Sequence, residues 1–264
     1  MSTTPWVTIV GIGMNGVEGL TPEQRQAIDD ADILAGGKRH LEMIPDNGSE
    51  RLQWRAPFIE SLEKVLAYKG RKVTVLATGD PMWFGIGATL SHRVGEDEMK
   101  VLPAPSAFSL AAARMAWPLA DIECLSTHGR PIETLISFLT PDAKLLILTA
   151  NGDAPKDIAK LLVAQGFGES RFTVLGNLGS DDELKIESPA AEWGGKEAPD
   201  LNTVAVICHA GLNARIFPRT GGLPDNAFIH DGQITKREVR AVTLSSLQPL
   251  PGQLLWDVGA GCGS

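Results

Sequence analysis

Five short apolar runs rich in Val, Ile and Leu, at 7–10, 73–77, 145–149, 171–175 and 203–207, recur along the chain. Between most of them lie stretches of helical periodicity, at 22–31, 58–68, 106–115 and 156–165. Runs this short, without polar alternation, are strands that must be covered on both faces. Helices between them are the covering layers, so the pattern predicts an α/β chain with largely parallel sheets. At 264 residues, 43% of them hydrophobic and 21% charged, there is material for one or two such domains.

The first strand runs into "VTIVGIGMNG", with glycines at 11, 13 and 16. That is the spacing of a dinucleotide fingerprint, in which the last glycine opens a helix whose first amides face a pyrophosphate. Here the helix start signal, Thr21-Pro22-Glu23-Gln24, comes five residues after Gly16. The acids expected at the end of a second strand, Asp29, Asp30 and Asp32, fall within or just past the helical stretch. Two readings stay open: an NAD-type dinucleotide site, and a tight strand-to-loop turn that needs small residues, the second being the stronger.

A formal net charge of −8 excludes broad non-specific attraction to nucleic acid or anionic membrane, which runs on surplus Lys and Arg. Cys124, Cys208 and Cys262 are odd in number and far apart, which suggests neither a disulfide framework nor a metal cluster and fits a reducing cytoplasm. The N-terminal residues carry no basic or long apolar leader, and no apolar stretch is long enough to cross a membrane. The chain reads as cytoplasmic.

"LATGDPMWFGIG", 76–87, is the most informative stretch. A buried strand ending in Gly79-Asp80-Pro81 places a carboxylate and exposed backbone where open α/β sheets bind ligands. Taken alone it is first of all an ordinary turn with Asp80 capping the next helix. Then follow a strand, a double-proline turn and an Ala-rich helix at 101–119, and two strands running into small polar residues, "LLILTANGDAP" at 145–155 and "FTVLGNLGSDDE" at 172–183.

In this order the stretches resemble the tetrapyrrole methylases, the class III S-adenosyl-L-methionine (SAM) methyltransferases, over residues 6–210. The resemblance implies two α/β subdomains with a cleft between them, about 1–104 and 105–213, and SAM-dependent methylation of a reduced tetrapyrrole. Within the family it runs to members that methylate carbon 5 of a precorrin in cobalamin biosynthesis. Carried over residue by residue, it implies cofactor contacts at Met14, Thr78, Gly79, Asp80, Trp83, Ser106, Ala107, Thr149, Ala150, Asn177 and Leu178. Asp80 is the candidate for orienting ligand or taking up a proton. Two positions depart from the usual family pattern: Gly13-Met14-Asn15 stands where Gly-Pro-Gly is common, and Ser106-Ala107 where Ser-Ser or Thr-Ala is common. A substrate with many carboxylates calls for cations, for which "GGKRH" and "THGR" offer Lys38, Arg39, His128 and Arg130, each against the solvated-surface alternative. His40, His92 and His209 read as structural, and no metal is implied. The family further implies a homodimer.

Residues 214–224 read as a linker, within the Pro- and Gly-dense 217–228 stretch. Beyond it come an amphipathic helix at 234–247 and "QLLWDVGAG", a strand entering a glycine loop. About forty residues with one strand cannot build a doubly wound sheet. The tail reads as the severed start of another domain; with Asp257, Gly259, Gly261 and Gly263 in "LLWDVGAGCGS", residues 225–264 resemble the start of a class I SAM methyltransferase domain, an incomplete Rossmann-like fragment. Its missing remainder would carry carbon 15 methylation and decarboxylation. A non-catalytic half that binds tetrapyrrole and docks a partner domain is the competing class of function.

Overall fold

The computed structural model of the chain describes residues 5–264. The first sheet is built from β1 (Val7–Ile12), β2 (Ile33–Gly36), β3 (Glu50–Gln53), β4 (Val73–Thr78) and β5 (Met99–Leu102), in the order β3-β2-β4-β1-β5, with every pair parallel. Alternate side chains of its central strands point to opposite faces. Val10, Ile12, Leu34 and Leu76 pack under α1 (Pro22–Asp29) and α2 (Lys38–Met43). Val7, Ile9, Ile33, Ala35, Val73 and Val75 pack under α3 (Phe58–Ala67) and α4 (Ile86–Leu90). Burial on both faces is why these strands read as unbroken apolar runs.

Helix α1 begins where the sequence predicts. Thr21 caps it, and the Gln24 side-chain oxygen accepts from the Thr21 amide at 2.8 Å to close a capping box. The same Gln24, buried in the core, turns its amide nitrogen onto three carbonyls, Gly11 O at 3.2 Å, Leu102 O at 3.3 Å and Pro103 O at 3.2 Å. One helix residue thereby ties the end of β1 to the end of β5.

The chain then crosses at Pro103–Ser106 into α5 (Ala107–Met115), which lies on a second sheet. This sheet contains β6 (Glu123–Ser126), β7 (Lys144–Leu148), β8 (Arg171–Gly176), β9 (Leu184–Pro189) and β10 (Asn202–Ile207), in the order β6-β7-β10-β8-β9. Only β6 and β7 pair in parallel; the other three pairings are antiparallel. The expectation of largely parallel sheets therefore fails here. Helix α6 (Ala154–Ala164) makes β7 and β8 parallel to each other, but β10, arriving after the β8–β9 hairpin, runs the other way and inserts between them. Ala111 and Ala112 let α5 approach one face closely, and α6 covers the other with Ile158 and Leu162.

The stretch after β10 is less independent than its composition suggests. Arg219 pairs with Glu123 at 3.1 Å and lies over the Phe138 ring at 4.5 Å, holding the segment against the second sheet. In α7 (Arg237–Leu247), Arg240 is buried and reaches Asp225 at 2.7 Å, while Arg237 donates to Gly222 O at 2.7 Å. The strand expected in "QLLWDVGAG" is absent: Leu254, Trp256 and Val258 are 80% exposed or more. A lone strand finds no neighbour here for its backbone groups or its apolar side chains. Among the described residues no helix is long and apolar enough to cross a membrane.

Gln24→Leu removes the amide from three carbonyls, and the acceptor from the Thr21 amide, at nearly constant volume. The expected loss in urea unfolding is about 2 kcal/mol or more; a loss under about 0.5 kcal/mol would mean that these carbonyls find other partners.

Candidate functional site at the strand ends

The ends of β1, β4 and β5 are interlocked backbone to backbone. Gly79 N donates to Ile12 O at 3.0 Å and Ala104 N donates to Gly79 O at 3.1 Å. A Cβ on Gly11 would sit 2.0 Å from Gly79 O and 2.6 Å from Ala104 N, so no other residue fits there. Gly79 itself has φ +59 and lies with its α-carbon against Pro105 and Ser106. The turn that follows is closed by Asp80, whose carboxylate accepts from Met82 N at 2.9 Å. Asp80 is thus a cap on its own turn, not on α4, which starts only at Ile86.

Around this knot the first sheet supplies a polar cluster. Arg39 lies against the Met14 thioether and donates to Thr78 Oγ1 at 3.2 Å, and His40 Nε2 is 3.0 Å from the same oxygen. Burial, with the adjacent Arg39 charge, pushes the His40 pKa down to about 4. Burial also lowers that of Arg39, and none of the ion pairs among the described residues involves it. His40, expected to be structural, thus faces the site. Its place directly after Arg39, in the helix after β2, is the one signal of this that the sequence holds.

From the other side comes an aromatic cluster. Trp83 and Phe84 both lean on Phe108 of α5, with ring centroids 5.0 and 6.1 Å apart, and the Arg130 guanidinium stacks over Phe84 at 4.8 Å. Phe84 is held at φ 56, a left-handed conformation costly for a bulky side chain. Phe108 also belongs to the cluster that contains Leu178, so the two subdomains meet around this ring. Arg114 of α5 bonds Glu183, which also accepts from Gly179 N at 2.9 Å; Arg114 first, and that amide with it, hold the Glu183 carboxyl below its usual range. This pair anchors the loop carrying Asn177 and Leu178.

Some expected residues are occupied elsewhere. Ser106 is buried as the N-cap of α5, accepting from Ser109 N at 3.0 Å, with Ala107 opening the helix. Thr149 donates to Asn202 Oδ1 at 2.8 Å, and Ala150 beside it is exposed. Lys38 points away from Arg39, pairing with Glu42 at 3.7 Å and lining a separate open pocket of about 560 Å³ with Arg51, Arg55 and Lys64. His128 is exposed. After Gly16 the chain makes a 3₁₀ turn, Gly16–Gly19, and α1 opens only at Pro22, so the pyrophosphate geometry of a dinucleotide fingerprint is not formed.

Two five-stranded sheets flanked by helices and joined by one crossover define an α/β protein of two subdomains. The sequence profile of the Tetrapyrrole (Corrin/Porphyrin) Methylases matches residues 7–193, and the chain belongs to that family. A second profile, the Precorrin methyltransferase domain, matches residues 226–264. The chain is 46% identical over 262 residues to a precorrin-6Y C(5,15)-methyltransferase [decarboxylating] of Sinorhizobium sp, covering 99% of this chain but 63% of that protein. It is 35% identical over 207 residues to the cobalt-precorrin-7 C(5)-methyltransferase of Salmonella typhimurium, covering 76% of this chain and 98% of that one. Among solved structures, a cobalamin biosynthesis precorrin-6Y methylase from Archaeoglobus fulgidus superposes with TM-score 0.58 at 26% identity, over 77% of this chain and 98% of that chain.

The depressed His40 pKa sets a pH dependence. Below pH 6.5 an unfolded chain takes up a proton that the folded site refuses until about pH 4, so this contribution to stability is complete above 6.5 and is lost as pH falls through that window. Relative to His40→Gln, the wild-type chain should lose more stability on acidification from 6.5 to 4 in chemical denaturation. Parallel pH profiles for the two proteins would contradict the burial of a neutral imidazole.

Proposed function

We propose that this chain is a SAM-dependent C-methyltransferase that methylates carbon 5 of a precorrin-type tetrapyrrole in cobalamin biosynthesis. The observation that carries the reading is the Thr78-Gly79-Asp80 turn, locked against Ala104 and Ser106 where the two subdomains meet, in a chain so similar to precorrin methyltransferases. Tetrapyrrole methylases use SAM. The residues at the turn suit it: the exposed Thr78 at a strand end, small residues at Gly79 and Ala107, the Met14 thioether, and the exposed Trp83 face for a flat ring. Met14, Thr78, Gly79, Asp80, Trp83, Ser106 and Ala107 would line one side of the cofactor, with Thr149, Ala150, Asn177 and Leu178 on the second subdomain.

SAM, when bound, would supply a sulfonium methyl group for an electron-rich macrocycle carbon to attack, the C–C bond forming as the S–C bond breaks and the thioether leaves. The protein's share is position and dryness. Holding carbon and methyl in line is worth about 7 kcal/mol or more, and the aromatic wall of Trp83, Phe84 and Phe108 keeps water from the reacting atoms. Asp80 orients the turn through its bond from Met82 N and is the carboxylate of this turn that would take the proton the methylated carbon sheds. Arg39 and Arg130 are placed to meet the substrate's carboxylates, Arg130 by leaving the Phe84 ring.

Residues 1–213 are then the methylase domain, with subdomains at about 1–104 and 105–213, and 214–224 the linker. Residues 225–264 begin a second methyltransferase domain, whose larger body performs carbon 15 methylation and decarboxylation. The protein works in the cytoplasm as a homodimer.

Asp80→Ala tests the site. Loss of a turn cap costs about 1 kcal/mol of folding stability, whereas S-adenosylhomocysteine affinity in a calorimetric titration should fall about tenfold or more. Unchanged affinity with a lowered melting temperature would reduce Asp80 to a structural cap and withdraw the site. Protection of the fold against heat by NADH, and not by S-adenosylhomocysteine, would restore the dinucleotide reading.

A further inference from the structure

The imidazole of His40 poses a problem of unequal hydrogen bonding. Its Nδ1 is buried and has no partner, while its Nε2 lies 3.0 Å from Thr78 Oγ1. One ring nitrogen of a neutral imidazole carries the proton, and the other carries a bare lone pair. A buried N–H with no acceptor is the rarer and costlier orphan, so the bare lone pair belongs on Nδ1 and the proton on Nε2. The ring stays neutral near pH 7, since burial and Arg39 resist a second proton.

The consequence falls on Thr78. Its hydroxyl has two lone pairs and one hydrogen. Arg39 Nη2 donates into one lone pair at 3.2 Å and His40 Nε2 donates into the other. Neither neighbour can accept, so the Thr78 hydrogen must point to a third partner. Thr78 is exposed at the last position of β4, directly before Gly79-Asp80, where the cleft opens. A hydroxyl that could ordinarily give or receive is here a donor only. Beside it stands Arg39, half-buried and without a carboxylate partner among the described ion pairs. A directed O–H donor and an unpaired guanidinium side by side match a carboxylate, and they repel a cation or an N–H group.

We propose that Thr78 and Arg39 form a carboxylate subsite in the cleft, and that His40 is the positioning residue that sets its polarity by making Thr78 an obligatory donor. The methyltransferase reading enters only in naming two sources for the carboxylate: the amino-acid end of the cofactor, or an acid side chain of the tetrapyrrole. The polarity itself follows from the three side chains.

Two measurements on the 264-residue chain decide it. The imidazole ¹⁵N spectrum of His40 should place the proton on Nε2; a proton on Nδ1 overturns the proposal, whatever binds. For affinity, Thr78→Val and His40→Leu are compared with Thr78→Ser and His40→Gln, whose hydroxyl and amide N–H restore the donors, after melting curves confirm folding. The probes are S-adenosylhomocysteine against 5′-methylthioadenosine, which lacks the amino-acid end, and uroporphyrin against its octamethyl ester. A cofactor carboxylate predicts that Thr78→Val and His40→Leu weaken S-adenosylhomocysteine about tenfold and leave methylthioadenosine alone. A substrate carboxylate predicts the same loss for uroporphyrin and not for its ester. In either case the Thr78→Ser and His40→Gln proteins keep most of the affinity. Folded Thr78→Val and His40→Leu proteins that bind all four probes like wild type overturn the proposal. A wild-type chain that binds none of the four defeats the methyltransferase reading, and the carboxylate subsite with it, whereas the ¹⁵N result still decides the polarity.

Discussion

The contact on which the rest depends is the backbone approach of Gly11, Gly79 and Ala104. Three strand ends meet so closely that a single Cβ at Gly11 would overlap the Gly79 carbonyl, and Gln24 fastens two of them, the ends of β1 and β5, through three carbonyls. Because β1 lies between β4 and β5, and the chain leaves the sheet from β5, this knot fixes where the first sheet stops and where the chain departs for the second. The direction of the Pro103–Ser106 crossover, and so the placement of α5 under the second sheet, follows from it. The loops of the cleft, Met14 after β1, Thr78-Gly79-Asp80 after β4 and Ser106-Ala107 after β5, issue from the three strands it joins. Rigid strand ends with variable loops are the usual way in which open α/β sheets place ligand groups.

The central strands and the main helices were legible because they are buried on both sides. Val7, Val10, Val73, Leu76, Leu145, Val174 and Val204 sit in continuous apolar runs. Three of the four edge strands were not. β3 reads Glu-Arg-Leu-Gln and β6 Glu-Cys-Leu-Ser, four residues each with charged or polar side chains turned to solvent, while β9 alternates. The direction of β10 was equally hidden, because strand polarity is set by the path of the intervening chain and not by the composition of the strand. The apparent strand at 254–258 has the pattern of a buried run but no sheet to join. In the site, the Gly-Asp-Pro turn could be found from its place after a buried strand. For His40 the neighbouring Arg39 was too weak a signal, since its meaning lies in a contact across 38 residues with Thr78 and in the missing partner of its Nδ1.

The two halves of the cleft contribute different chemistry. The first sheet offers directed polar groups, Thr78, Arg39 and the Asp80 turn, while α5 and the 82–84 turn offer aromatic surface held partly by backbone strain at Phe84. Arg130, reaching across from the end of β6 to cover the Phe84 ring, is the one side chain of the expected cation set that spans both subdomains in the described contacts. The dinucleotide geometry is not formed at the glycine loop, because the chain runs from Gly16 into a 3₁₀ turn and α1 opens only at Pro22.

The most direct test of this account is a crystal structure of the chain with S-adenosylhomocysteine bound. The ligand is predicted in the cleft against Gly79-Asp80 and Ser106-Ala107, with the Thr78 hydroxyl donating to an acceptor and the Gly11–Gly79–Ala104 knot unchanged. Density for the ligand in the Lys38–Arg51–Lys64 pocket, or a strand-end knot that opens to admit it, would contradict the claim that these three locked strand ends build the binding site.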